Sequence, residues 1–287
     1  MLIGCGQITW RGVPEPEVLR DIREAGYDGA PPKLNAERSA AETIELYRRY
    51  GLRPAPLYLG APLWQRESGD EILAAARDAA RLSRELGCRE LYVAASGAYQ
   101  AASGRTRSQA AGHVQPGDGM TADEMRTFAG TLSRVGEVSL EAGVRTCFHN
   151  HVGTVIETED EVERLLALTD PAVVFLGPDT GHLAWGGGDP VLFCGRHRDR
   201  ILTLHLKDID EGVRRRGCEE GWDYATFSEN GIFAELGEGG VDLPGLLSLL
   251  QDGGFGGWLI VETDVTRKPT PLESATVSRR YLRSLGL

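Results

Sequence analysis

Eight alternations of an apolar strand-like run and an amphipathic helical stretch fill the chain, and they restrict its fold more than any other feature. The runs lie at 2–6, 27–30, 53–59, 90–95, 145–148, 173–176, 201–204 and 257–261. They are mostly continuous in apolar residues, as parallel strands buried on both faces require. Helical spacing follows each, at 15–25, 40–50, 70–86, 122–142, 159–168, 190–196, 243–251 and 272–285. In the third of these, Ile72, Ala75, Ala76, Ala79, Leu82 and Leu86 line one face. Gly26, Gly51, Gly87 and Gly143 follow helices closely, where a left-handed cap is needed. Eight such units, with no GxGxxG after the first strand, favour an α/β fold of the (β/α)8 TIM-barrel type over a doubly wound dinucleotide fold. A barrel of this kind takes about 250 residues as one unit. The 287 residues contain no linker and no shift of composition, so 1–287 reads as a single domain.

Four short motifs closely follow apolar runs in the second half. They are His149-Asn150-His151, Asp179-Thr180-Gly181-His182, His205-Leu206-Lys207-Asp208 and Glu262-Thr263-Asp264. In a closed parallel barrel, residues at the ends of neighbouring strands face one mouth. Imidazoles and carboxylates gathered there form a divalent-metal constellation. Asp179, His205 and Glu262, each expected to terminate its own strand, are the first three ligands. His149 is the choice for the fourth, being nearer the strand body than His151, which instead bonds substrate or moves a proton. Gly181 is expected to let the chain turn just beyond Asp179, bringing His182 beside the metal. Lys207 stands two residues beyond His205. A neighbouring cation lowers a lysine pKa, so either Lys207 or His182 could serve as acid or base, with a carboxylate pair as the alternative for Lys207.

Other residues weigh less. Trp10, after the first strand, either packs against the apolar face of a sugar ring or fills the barrel rim. His113 and His197 read as solvated, and Glu157 as an acidic residue at a helix start. The connections 96–121 and 209–242 follow strands and are too long for turns. They read as lids or substrate-binding elements, with oligomer contacts as the alternative.

The net charge of −11 argues against a nucleic-acid partner and for a small neutral or weakly charged substrate. No segment approaches the ~20 apolar residues of a membrane span. The five cysteines are scattered without a CxxC pair, and Cys147 lies within an apolar strand; they read as reduced thiols in a cytoplasmic protein. The first ten residues lack the pattern of a signal peptide.

The order His-Asn-His, Asp-Thr-Gly-His, His-Leu-Lys-Asp and a terminal Val261-Glu262-Thr263 resembles the xylose isomerase-like barrels, a group that includes sugar isomerases, ketose epimerases and endonuclease IV. From about Gly143 onward the chain is most similar to the inosose (2-keto-myo-inositol) dehydratases. The pieces that carry this are Phe148 to Thr154, Asp179 to His182, His205 to Asp208, Gly231-Ile232-Phe233 with Leu236-Gly237-Glu238-Gly239, Gly257 to Glu262, and Pro271-Leu272-Glu273-Ser274. Three departures stand out, one being the segment Asp264-Val265-Thr266-Arg267-Lys268, which is unlike a close match. His149 occupies a position where many relatives carry glutamate, and Tyr27-Asp28-Gly29-Ala30 runs into Pro31 where many continue to a glutamate.

The resemblance implies a metal-dependent enzyme acting on polyhydroxy carbonyl compounds. The leading expectation is a lyase that dehydrates a polyhydroxy ketone such as inosose through an enediolate, with Glu262, His151, His182 and Lys207 sharing the proton transfers. His182, Lys207 and Trp10 are the expected substrate contacts. Mn²⁺ is the expected ion, with Co²⁺, Mg²⁺ and Zn²⁺ as alternatives. The rivals are a ketose isomerase or epimerase and a non-catalytic sugar-binding barrel. A homo-oligomer is compatible with all three.

Overall fold

The computed structural model describes residues 1–34 and 38–287. Its strands are β1 (Leu2–Cys5), β2 (Gly29–Ala30), β3 (Arg53–Pro54), β4 (Leu57–Ala61), β5 (Glu90–Ala95), β6 (Arg145–His149), β7 (Val174–Leu176), β8 (Thr203–Leu206), β9 (Asp208–Ile209), β10 (Phe233–Ala234) and β11 (Trp258–Val261). Two parallel sheets, β3-β2-β1-β11-β8 and β4-β5-β6-β7, make the barrel wall. On one side they join through the chain itself, since β3 and β4 are one strand interrupted around Pro54 and Pro56, which lack a backbone donor. Ala55 N–H still donates to Ala30 O across that break, at 2.9 Å. On the other side Leu202 N–H donates to Leu176 O (3.1 Å) and His205 N–H to Pro178 O (2.9 Å), closing the ring. The expected (β/α)8 barrel is therefore present.

The lumen is filled in layers. Ala55, Tyr92, Trp258 and Ile260 pack there with Leu2, beneath the site. Gly4 leaves room for Ile260, against whose Cδ1 a Cβ would press at 2.7 Å. Outside the strands, fully buried Val18, Leu19 and Ile22 show how the helices seal the wall. Ser39, Thr121 and Thr158 open helices with complete capping boxes on Glu42, Glu124 and Glu161, each cap stabilising by about 1 kcal/mol. Gly26, Gly51, Gly87 and Gly143 all adopt positive φ, as helix ends of this kind require.

The structure corrects several expected boundaries. The seventh barrel strand is Thr203–Leu206, so His205 lies within it instead of ending it. Its register is set by pairing with Trp258–Val261 and not by where the apolar run begins. A helix, Thr180–Trp185, starts directly after Asp179. The excursion 209–242 is mostly ordered: it carries helices Glu211–Glu220 and Tyr224–Glu229 and the antiparallel β9–β10 pair. All five cysteines are free, with Cys147 buried. No helix among the described residues is long and apolar enough to cross a membrane.

Candidate active site

Asp179 is the pivot of the site. One carboxylate oxygen, Oδ1, caps the helix Thr180–Trp185 by accepting from His182 N–H at 2.9 Å. The other, Oδ2, is buried with no hydrogen-bond partner. It lies 3.8 Å from His149 Nε2, 3.8 Å from His205 Nδ1 and 3.3 Å from Lys207 Nζ. Asn150 fixes the backbone here, its Oδ1 accepting from Asp179 N–H at 3.0 Å. The middle residue of His149-Asn150-His151 thus aligns the ligand of the next strand.

His149 ends β6, and its Nδ1 sits 2.9 Å from Gly177 O. A protonated Nδ1 donating there leaves Nε2 with a lone pair facing Asp179, the arrangement that outer hydrogen bonds impose on metal-binding imidazoles. His205 Nδ1 approaches Glu262 Oε2 at 3.1 Å. Gly6 makes room for Glu262, because a Cβ there would collide with the carboxylate. His149, Asp179 and His205 offer ligand atoms that all lie within 4.8 Å of one another. A buried carboxylate oxygen amid two imidazoles and ion-paired to Lys207, with a second carboxylate against one of the imidazoles, fits a divalent metal.

A second cluster adjoins the first. His151, His182 and Asp264 also bring ligand atoms within 4.8 Å of one another. The imidazole rings of His151 and His182 are 3.6 Å apart, centroid to centroid. Lys207 Nζ reaches Asp264 Oδ1 at 2.8 Å, His182 Nε2 at 3.1 Å and Glu262 Oε2 at 3.3 Å. Its ammonium therefore already occupies the cation position between the two clusters. Gly181 makes this approach possible, since a Cβ there would press on the Lys207 side chain. Gly181 lies in the first turn of a helix without positive φ, so its role is space, not the expected turn. Thr180 Oγ1 ties the two segments together, donating to Lys207 O and accepting from Lys207 N–H.

Electrostatics separates the groups by charge. Burial pulls the Lys207 pKa down, but Asp179, Asp264 and Glu262 outweigh it and hold the ammonium well above the usual lysine range. Three carboxylates face it, the pairing named above as the alternative for Lys207. Burial drives His149 and His182 well below the ordinary imidazole value and lowers His151, with Lys207 adding to the effect on each. These imidazoles are neutral near pH 7. Burial lifts Asp179 against the pull of Lys207 and His205. Burial also acts to raise Glu262, but His205 and Lys207 outweigh it and keep that carboxylate ionised.

Some residues fall elsewhere than expected. Trp10 is buried in the main core, and its indole N–H donates to Asp21 Oδ2 at 3.0 Å, so it has a packing role in place of the expected substrate contact. His113 is only half-exposed and bonds Trp222 O and Arg105. His197 packs on Glu163 at 2.8 Å. Asp264, named above within the motif Glu262-Thr263-Asp264 but given no role, joins the site. Its signal was the spacing Glu262-Thr263-Asp264, which puts both carboxylates on one side of an extended segment. Asp208 accepts from Gly237, Gly239 and Val241 N–H groups and so shapes the long connection after β8.

Two geometric differences lead to tests. His149 belongs to the set around Asp179, whereas His151 belongs to the set whose cation is Lys207. His149→Ala should therefore weaken metal binding more than His151→Ala in a metal titration; the reverse order would make His151 the ligand. Glu157, read as an acidic residue at a helix start, is fully buried and accepts from Gly112 and Gly153 N–H groups at 2.7 and 2.8 Å, beside Arg107. Burial pushes it from 4.5 up to about 7, against the opposing pull of Arg107. Between those values the folded protein holds a proton that the unfolded chain has released. Stability from this group is complete at lower pH and declines as pH rises through the window, by about 3 kcal/mol in all. Glu157→Gln should flatten melting temperature against pH between about 4.5 and 7. An unchanged slope would rule out Glu157 as its source.

Comparison with known proteins places this geometry. The family model for the xylose isomerase-like TIM barrel matches residues 19–285. The rhizopine catabolism protein MocC of Rhizobium meliloti is 32% identical over 277 residues, covering 91% of this chain and 81% of that protein. The inosose dehydratase of Geobacillus kaustophilus is 30% identical over 302 residues, covering 99% and 94%. Among solved structures, the IOLI protein with a bound zinc atom superposes with a TM-score of 0.71 at 15% identity, covering 99% of this chain and 98% of that one. The chain is an enzyme, and it belongs to the xylose isomerase-like TIM barrel family.

Proposed function

We propose that the protein is a metal-dependent hydro-lyase that removes water from a polyhydroxy ketone, with 2-keto-myo-inositol as the leading substrate. The observation that carries this is the placement of a charged lysine and two neutral imidazoles together beside the His149–Asp179–His205–Glu262 set. His151 and His182 lie ring against ring, and Lys207 Nζ is 3.1 Å from His182. The resemblance to inosose dehydratases supports the choice of substrate. We read residues 1–287 as one barrel domain, and the five free thiols suit a cytoplasmic enzyme.

A divalent ion held by His149, Asp179, His205 and Glu262 would supply positive charge opposite the oxyanion that develops on the substrate. Two imidazoles and two carboxylates suit Mn²⁺, with Co²⁺, Mg²⁺ and Zn²⁺ as alternatives. His182, neutral and buried, or His151, neutral and half-buried, takes the proton from the carbon next to the carbonyl. The C–H electron pair forms the carbon–carbon double bond of an enediolate. The carbonyl π pair moves onto oxygen in that step; when it re-forms C=O, the double-bond pair shifts between the α and β carbons and expels the β-hydroxyl, which takes a proton from the Lys207 ammonium and departs as water. Lys207 stays protonated until then because its carboxylate neighbours favour the charge.

Base and acid on one side of the pocket suit elimination from a single face. Epimerisation instead returns a proton to the opposite face, which calls for a second acid across the substrate. The test is to incubate metal-loaded protein with 2-keto-myo-inositol and with ketoses in deuterated water. Dehydration predicts an absorbing enone or dione that has lost one water. Deuterium at an inverted carbon with no loss of water would replace this reading by the epimerase.

A further inference from the structure

We propose that Tyr58 and Tyr224 determine specificity at this site by selecting a cyclic polyhydroxy substrate over an open-chain one. The inference deepens the proposed function and rests on it, since it concerns the substrate class of the same site. Along β4 the buried residues are Leu57, Leu59 and Ala61, while Tyr58 and Gly60 face the other way. That other side is the lumen: Tyr58 pairs in register with Tyr92, and Tyr92 with Cys147, two residues before His149. Tyr58 is 37% exposed although it lies inside the ring of strands, so its side chain opens to the barrel mouth. Its ring stands edge-on to His149, with centroids 5.3 Å apart.

Tyr224 approaches the same histidines from the long connection after β8. Its N–H donates to Ser108 O at 2.9 Å, which locks the two long connections together. Its ring stacks on His151 at 6.1 Å with planes 23° apart, and Trp185 backs it at 5.0 Å. His149 and His151 are 6.4 Å apart. Tyr58, His149, His151 and Tyr224 therefore form a continuous arc of rings from a barrel strand to the covering helix. Neither tyrosine hydroxyl makes a hydrogen bond among the described residues. The charged groups enter from other segments, Lys207 after β8 and Glu262 and Asp264 after β11.

A site with an aromatic arc and a charged side matches an amphipathic ring. A six-membered polyol carries C–H bonds on its faces and hydroxyls at its rim. The faces gain dispersion and quadrupole contacts on aromatic rings, while the rim hydroxyls meet the carboxylates and the ammonium. An open-chain polyol has no such face and must also freeze its torsions on binding.

Myo-inositol and D-mannitol have the same number of carbons and hydroxyls and differ in ring closure, so they isolate this effect. Calorimetric titration of metal-loaded wild-type protein should favour myo-inositol by about tenfold or more. Tyr58→Ala and Tyr224→Ala should each reduce that preference to about threefold or less, while Tyr58→Phe, which keeps the ring, retains it. Equal binding of the two polyols by the wild type, no saturable binding of myo-inositol, or an undiminished preference in both alanine variants overturns the inference. Loss of the preference in Tyr58→Phe also overturns it, because the selection would then belong to the hydroxyl. Neither ligand has a carbonyl, so the titration is independent of turnover. Ring preference in a protein that fails to dehydrate inosose would remove the proposed function and keep this inference; dehydration without ring preference would do the opposite.

Discussion

Asp179→Asn is expected to strip the site of most of its metal and to lower turnover by about 10³-fold, while the protein keeps its fold. Asparagine retains the shape of the side chain and an oxygen that can accept from His182 N–H, so the cap on the helix Thr180–Trp185 survives. What disappears is the charge on Oδ2, the buried atom that faces both His149 and His205. Lys207 still has Glu262 and Asp264 beside it, so stability in chelator should move by no more than about 1 kcal/mol. Metal content by elemental analysis and far-UV circular dichroism on the same sample separate the two effects. Normal metal content in this variant, together with His205→Ala and Glu262→Ala that also bind normally, would sink the proposed centre.

How much of this arrangement can be read from the sequence depends on which physical signal each residue leaves. Buried parallel strands leave a continuous apolar run, so 90–95 matches β5 in full and most other strands fall within two residues. Long helices leave a 3.6-residue repeat, and 15–25 matches Glu15–Ala25. The helix Thr180–Trp185 is too short to show a repeat, and Glu211–Glu220 buries only Val213 and Gly217, so neither produces one. Asp179, His205 and Glu262 stand out because a polar residue after an apolar run has few structural uses. Tyr58 and Tyr92 leave no such mark, because tyrosine is ordinary in strands. Only the register shows that they line the lumen beside the histidines. Lys207 reads ambiguously from its spacing, since its charge state depends on Asp264, which the strand pattern places beyond the end of β11.

Lys207→Met should have the opposite balance from Asp179→Asn: a large cost in stability without metal, and near-normal metal content. The ammonium is buried, 2.8 Å from Asp264 and 3.3 Å from both Asp179 and Glu262. Methionine fills much of the same volume but leaves three buried carboxylates without their cation. Removing one partner from a buried charge cluster costs about 3–5 kcal/mol, which corresponds to roughly 10 °C in melting temperature for a chain of this size. Added metal would compensate two of those carboxylates, Asp179 and Glu262, and it binds only the folded state. It should therefore restore much of the lost melting temperature. Turnover should still fall by about 10²-fold or more, the usual contribution of a positioned acid. His182→Gln should likewise keep its metal and lose turnover, without the stability loss that metal repairs. A Lys207→Met protein that binds no metal would make the lysine part of the centre's framework. One that turns over the verified substrate at the normal rate would remove Lys207 from the chemistry and leave the histidine pair to pass the abstracted proton to the departing hydroxyl.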